Sequence, residues 1–182
     1  MIFCLLVIVG VYIFNTFSNQ NTLLIIKDDR YFNMQFQYPK GYKKTNSTLG
    51  VFRVESSDFH SYSYGGGTVM DQGARIDLHN QESLSGRIFL SQEEWIKGKL
   101  NNTFSSETAI ESLIDGMPVV IVERNPAQSE PPYNYNKSIY FLNQKEKNEV
   151  VLELSVVLKS KDGFYTYKKD FDKMVSTIKL SR

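Results

Sequence analysis

Nucleophilic catalysis needs a serine or cysteine beside an oriented base, most often histidine. The only histidines in this sequence are His60 and His79, and the only cysteine is Cys4. His60 lies among hydroxyls in SSDFHSYSYGGG, yet no G-x-S-x-G elbow accompanies it, so it reads as a solvated loop histidine. Asp77 and His79, at i and i+2, share one face of a strand. A divalent-metal site needs further ligands, none of which stands nearby, so both read as exposed strand side chains. Cys4 alone can neither staple a domain nor complete a tetrahedral zinc set. Glycosidic cleavage asks for two carboxylates about 5–10 Å apart across a cleft, whereas Glu93 and Glu94 are helix neighbours that point apart. Gly65 to Gly67 invites a phosphate-loop reading, but Thr68, Val69 and Met70 follow where G-x-x-x-x-G-K-[ST] requires a lysine. The three glycines therefore read as a flexible connection. The expectation is a non-enzymatic chain with no cofactor and no metal.

Recognition chemistry is better represented. Tyr62 and Tyr64 precede the glycines, and Tyr133 and Tyr135 follow Pro131 and Pro132. Amphipathic rings of this kind supply contact area at low entropic cost, which makes the four tyrosines candidate partner-binding residues. The formal net charge of +1 over 182 residues, with lysines interrupted by acids, gives no stripe for nucleic acid.

These residues must be held by a domain. From Tyr31, Phe32, Met34, Phe36 and Tyr38 alternate with polar residues as in a half-buried strand. Gly50–Glu55 and the ARIDLHN segment (residues 74–80) read as further strands, the latter with a charged outer face. Ser91 to Glu94 forms a capping box, opening a helix that carries Trp95, Ile96 and Leu100 on one face. Asp115 and Gly116 mark a turn before PVVIVE (residues 118–123), a strand buried on both faces. Asn125–Tyr135 reads as a surface loop. Ile139–Leu142 and Val150–Leu158 suit a β-hairpin, and Tyr167, Phe171, Met174, Val175 and Ile178 fall on one face of a closing helix. Strands, helix, strands and helix in that order predict an α+β fold with an antiparallel sheet flanked by helices.

Ahead of this body, MIFCLLVIVGVYIF is unbroken apolar sequence. As a helix, the run to Phe14 would span about 21 Å and its extension to Phe17 about 26 Å, slightly short of a hydrocarbon core of about 30 Å. A basic n-region and an A-x-A-like cleavage step are both missing, which favours an uncleaved anchor over a removed signal peptide. The true start could also lie upstream of Met1. A buried core helix is the bland alternative, opposed by all-round hydrophobicity. The expected organisation is an N-terminal hydrophobic membrane anchor or signal-like segment (1–17), a linker (18–30) and a globular domain (31–182). The domain is expected on the extracytoplasmic side.

The pattern resembles the PsbP-like fold, shared by the extrinsic photosystem II subunit, a nuclear Ran-GTPase release factor and small bacterial secreted or lipid-anchored proteins. The resemblance rests on YPKGY (residues 38–42), the Trp95 helix, the Asp115-Gly116 turn before PVVIVE, the Ile139–Leu158 hairpin and the helix through Phe171 and Ile178. It implies an α/β/α sandwich and a binding or assembly role, with an unknown protein or envelope component as partner, and carries over no ligand. An asparagine- and lysine-rich, alanine-poor composition suits a bacterial source. The alternative is a hydrolase whose site is assembled from residues distant in sequence. A pilin-like subunit is opposed by the polar Asn15–Thr22 stretch.

Overall fold

The computed structural model describes residues 21–47, 50–81, 91–126, 130–146 and 148–181. Ten strands and two helices succeed one another there: β1 (Thr22–Ile25), β2 (Gln35–Tyr38), β3 (Tyr42–Thr45), β4 (Phe52–Ser56), β5 (His60–Tyr64) and β6 (Gly67–Gln81), then α1 (Gln92–Asn101), then β7 (Glu107–Ile114), β8 (Met117–Arg124), β9 (Tyr133–Asn143) and β10 (Asn148–Leu158), and finally α2 (Phe164–Val175). The main sheet runs β3-β4-β6-β10-β9-β8-β7, with β5 attached to β6, and every pairing is antiparallel. The apolar alternation of β10 makes it the hub: Val150, Leu152, Leu154 and Val156 are buried on one face, where they join the principal core.

That front face is closed by α2, which buries Phe164, Phe171 and Met174, and by the β1–β2 hairpin, which contributes Phe36. Phe36 meets Phe52 edge-on at 5.2 Å between ring centroids. Ion pairs tie α2 down further, Lys137 to Asp172 and Lys168 to Glu123, each at 2.5 Å. The opposite, back face is covered at one end by α1. Its capping box is formed as the sequence indicates, with Ser91 Oγ accepting from the Glu94 amide and Glu94 Oε2 accepting from the Ser91 amide, both at 3.1 Å. Trp95 and Ile96 pack there with Val120 and Leu142 as a second core. Val119 belongs to the front core and Val120 to the back, so β8 is buried on both faces at this point.

Four expectations change. The stretch assigned to a linker contains β1, paired residue for residue with β2, and a 3₁₀ turn at Asp29–Tyr31, so the folded body begins inside residues 18–30. Four strand residues whose partner lies beyond an intervening turn leave too short a pattern to read. The surface loop expected through Tyr135 ends earlier, because β9 starts at Tyr133. Gly65 and Gly66, with φ of 57° and 83°, form a tight two-residue turn between Tyr64 and Gly67, the geometry that twisted hairpins favour. Asp77, expected on an exposed face, is buried. The hydrophobic segment 1–17 lies outside the described residues, and no helix among them is long and apolar enough to cross a membrane.

Candidate functional site

Strand β6 changes partner along its length. From Gly73 to Gln81 it pairs with β10, while residues 67–72 pair only with β5, so the β5–β6 hairpin leaves the sheet as an arm about 20 Å long at roughly 3.3 Å per residue. The departure is built locally. His60 pairs with Gln72 but Ser61 with Met70, which leaves Asp71 as the extra residue of a bulge and turns the strand. Gly73 has φ of 91°, and a Cβ there would lie 2.6 Å from Phe59 Cα, so this crossing needs glycine. At the root, Ser56 Oγ accepts from the Ala74 amide and donates to Asp58, while the Tyr167 hydroxyl on α2 donates to Asp58 Oδ2 at 2.6 Å. Burial works against ionisation of Asp58, but the Tyr167 and Ser56 hydrogen bonds outweigh it and hold the carboxyl below its ordinary value. Burial, reinforced by the Asp58 charge, pushes the Tyr167 hydroxyl up to about 12.

The two faces of the arm differ. Tyr62 stands opposite Val69 and Tyr64 opposite Gly67, so Tyr62, Tyr64 and Val69 share one face; they are 48%, 74% and 38% exposed. On the other face, Thr68 and Met70 overhang the back of the main sheet and wall a cleft of about 310 Å³.

The floor of that cleft follows from strand register. One row across six strands reads Glu55, Arg75, Ser155, Asn136, Arg124, Glu107, and the next reads Arg53, Asp77, Glu153, Ser138, Val122, Ala109. Away from α1 the back face is thus polar and charged. Buried Asp77 sits between two cations, 2.6 Å from Arg53 Nε and 2.7 Å from Arg75 Nε. Glu153 accepts from Asn136 at 2.7 Å and from Ser155 at 2.9 Å. Arg124 donates through Nε and Nη2 to Glu107 and lies over the Phe104 ring.

The four tyrosines separate. Tyr62 and Tyr64 stand exposed on the arm, in strand β5 and not in the loop expected of that stretch. Tyr133 is half-buried, with Lys161 Nζ 4.8 Å from its ring centroid. Tyr135 is corrected: at 4% exposure it is a core residue stacked near Phe164, because odd-numbered positions of β9 face the front core. Burial, with Glu123 close by, pushes its hydroxyl pKa up. His60 Nδ1 lies 2.6 Å from Asp71 Oδ1, the orienting half of a base dyad, but among the described residues no serine or cysteine hydrogen-bonds to the ring. Among the described residues no three His, Cys, Asp or Glu side chains gather as a metal set. Arg75, Arg124, Asn136 and Ser155 escape sequence reasoning. The phase of each strand was readable, but the neighbours that bring these phases into one row were not.

No protein-family model and no curated protein sequence matches the chain. Solved structures do. The chain is similar to the cyanobacterial PsbP (CyanoP) of Synechocystis, with a TM-score of 0.50 at 13% identity over 89% of this chain and 93% of that one. A Bacteroides thetaiotaomicron protein gives a TM-score of 0.50 at 14% identity over 90% of this chain. The chain spans about half of that protein, 49% of its length. The Saccharomyces cerevisiae Ran-binding protein Mog1p aligns at 14% identity over 90% of this chain and 96% of its own, with a TM-score of 0.46. The fold is therefore PsbP-like, as the sequence motifs implied.

Proposed function

We propose that this chain is a non-enzymatic binding domain, tethered to a bacterial membrane by residues 1–17 and displayed outside the cytoplasm, where it engages a protein or envelope component. The observation that carries the reading is the arm: Tyr62, Tyr64 and Val69 lie side by side, exposed, on a hairpin that leaves the sheet. Aromatic residues grouped on a rigid support are the usual anchors of protein recognition. The root supplies the rigidity, since Gly73, Ser56, Asp58 and Tyr167 join the arm to both sheet and helix. The PsbP-like fold is consistent with a binding role, CyanoP and the Bacteroides protein lending the fold and no ligand. The apolar run of residues 1–14 supports the tether.

Recovery of partners from native membranes tests the reading. The full chain is expected to retain a partner that a Tyr62→Ser/Tyr64→Ser chain loses by about tenfold or more, given that a central aromatic anchor contributes roughly 2 kcal/mol or more. Equal recovery with both chains would remove the arm from the interface. Deleting residues 1–17 is expected to move the chain from the membrane pellet to the soluble fraction, and continued pelleting would contradict the tether.

A further inference from the structure

The arm's tyrosine face leaves the cleft on its reverse side without a role. Both charged groups in the cleft lining are arginines, Arg75 and Arg124; the rest of the lining is polar or apolar and includes no acid. Three strand spacings of about 4.8 Å separate their backbones, roughly 14 Å in all. Ser155 and Asn136 lie between them on the same row, so the two guanidinium groups stand at opposite sides of one floor.

The donors of this lining are poorly used. Arg75 Nε is buried and lies 2.7 Å from Asp77 Oδ2, while Arg53 takes Oδ1, so the donors Arg75 leaves to the cleft are its terminal Nη groups. Arg124 gives Nε and Nη2 to one oxygen of Glu107. Glu107 is sheltered, with 10% of its side chain exposed, and fixes the guanidinium while Nη1 stays available. The acceptors, by contrast, are committed. Asn136 Oδ1 accepts from Ser138, and the Glu153 carboxylate in the adjacent row takes the Asn136 amide and the Ser155 hydroxyl. What faces the cleft is a pair of cations with spare N–H groups, walled by Asn134 and Thr68.

Such a lining is short of acceptors, and its occupant must bring them. A neutral polyol would accept from the spare N–H groups only through uncharged oxygens, the weaker acceptors, and a cation would bring no acceptor at all. A carboxylate or phosphate oxygen satisfies the spare N–H groups with charge-assisted hydrogen bonds, the stronger kind, and the fork of arginine matches either oxyanion. Glu55 and Glu107 at the ends of the row, and Asp77 and Glu153 in the next row of the same face, cancel the long-range field, so recognition depends on directed bonds at contact. With donors on two opposite walls, a ligand with acidic groups at both ends engages more of them than one with a single acid.

We infer that the cleft between β6 and β8 is a binding site for a small ligand bearing oxyanion groups, carboxylate or phosphate, clamped between Arg75 and Arg124. This site is independent of the arm's partner, since Tyr62 and Tyr64 lie on the other face of the hairpin.

Nuclear magnetic resonance titration of the full chain in detergent micelles tests it, with glutarate, butyrate and inorganic phosphate as probes. Glutarate or phosphate is expected to shift the side-chain amides of Asn134 and Asn136, and glutarate to bind at least tenfold more tightly than butyrate. Arg75→Gln and Arg124→Gln should each weaken that binding at least tenfold. Because Arg124→Gln strands Glu107 and Arg75→Gln leaves Asp77 to Arg53 alone, Asn134→Leu serves as the variant outside any ion pair; it should weaken binding several-fold while the rest of the spectrum is unchanged. Tighter binding of phosphate than of glutarate assigns phosphate as the oxyanion, and the reverse assigns carboxylate. The proposal is overturned if neither probe moves the two amides at millimolar concentration, or if all three variants bind as the parent does. Neither result bears on partner recovery through Tyr62 and Tyr64.

Discussion

Trp95 Nε1 donates a 2.7 Å hydrogen bond to Glu149 Oε1 in the back core, and Lys99, one turn further along α1, holds the other oxygen at 2.7 Å. One carboxylate on the hub strand thereby fixes both the tilt and the rotation of α1. Trp95 is fully buried and Glu149 nearly so, which makes the charge costly if its partners are removed. Glu149→Ala is expected to destabilise the domain by about 3 kcal/mol in urea unfolding followed by circular dichroism. Glu149→Gln keeps an acceptor for the indole and should cost less than the alanine change. Equal costs would mean that the carboxylate fills space without anchoring the helix.

The crossing at the base of the arm depends on a missing side chain. Gly73 has a positive φ, and a methyl group there meets the backbone of Phe59 at 2.6 Å. Gly73→Ala combines left-handed strain with a clash against main chain, and about 2 kcal/mol or more of destabilisation is expected. Gly41→Ala, where an added Cβ meets nothing within 4 Å and φ is not positive, is the matched control and should change thermal stability little.

Asp58 and Tyr167 give the arm's root a pH dependence with two edges. The hydrogen-bonded Asp58 carboxyl is held below its ordinary value. Its contribution is therefore present above about pH 4, the unfolded-state value, and is lost as pH falls through the lower folded value. The Tyr167 hydroxyl is raised from 10.0 to about 12, so its contribution is full below about pH 10 and drains as pH rises toward 12. Tyr167→Phe should lower stability at pH 7 by about 1 kcal/mol and flatten both edges relative to the parent. Unfolding midpoints measured from pH 3 to 11 check this; parallel profiles would detach the pair from the arm's stability.

Asp77 is the acid shared by two arginines at neighbouring positions on the back face. Asp77→Ala leaves both cations without their shared acid, and a loss of about 3 kcal/mol is expected because breaking a sheltered pair costs more than forming it contributes. Arg53→Met, which leaves Asp77 with Arg75, should cost less. Urea unfolding of both single variants and of the Arg53→Met/Asp77→Ala double variant completes the cycle.

What could be read from residues alone was local. The Ser91–Glu94 box, the Asp115-Gly116 turn and the alternation of Val150 to Val156 each declare themselves within a few positions, because capping, turn geometry and strand pleat act over that range. The row from Arg75 to Arg124 does not, since it exists only once β6 lies beside β10 and β9 beside β8. Tyr133 and Tyr135 show the same limit. Two residues apart after a proline pair, they looked like a loop, but the first turns of β9 pairing place Tyr135 under α2. Tyr62 and Tyr64 stay exposed because a hairpin without a β10 partner has no core to bury them.

The most direct measurement compares two equally exposed tyrosines. Tyr64 on the arm and Tyr165 on α2 are both 74% exposed, so a photo-crosslinking side chain at either position has the same access to solvent. In native membranes, Tyr64 is expected to give a discrete adduct that excess unlabelled chain displaces and a Tyr62→Ala/Tyr64→Ala chain does not, while Tyr165 gives none. The same adducts at both positions, or displacement by the doubly substituted chain as readily as by the parent, would contradict recognition through the arm.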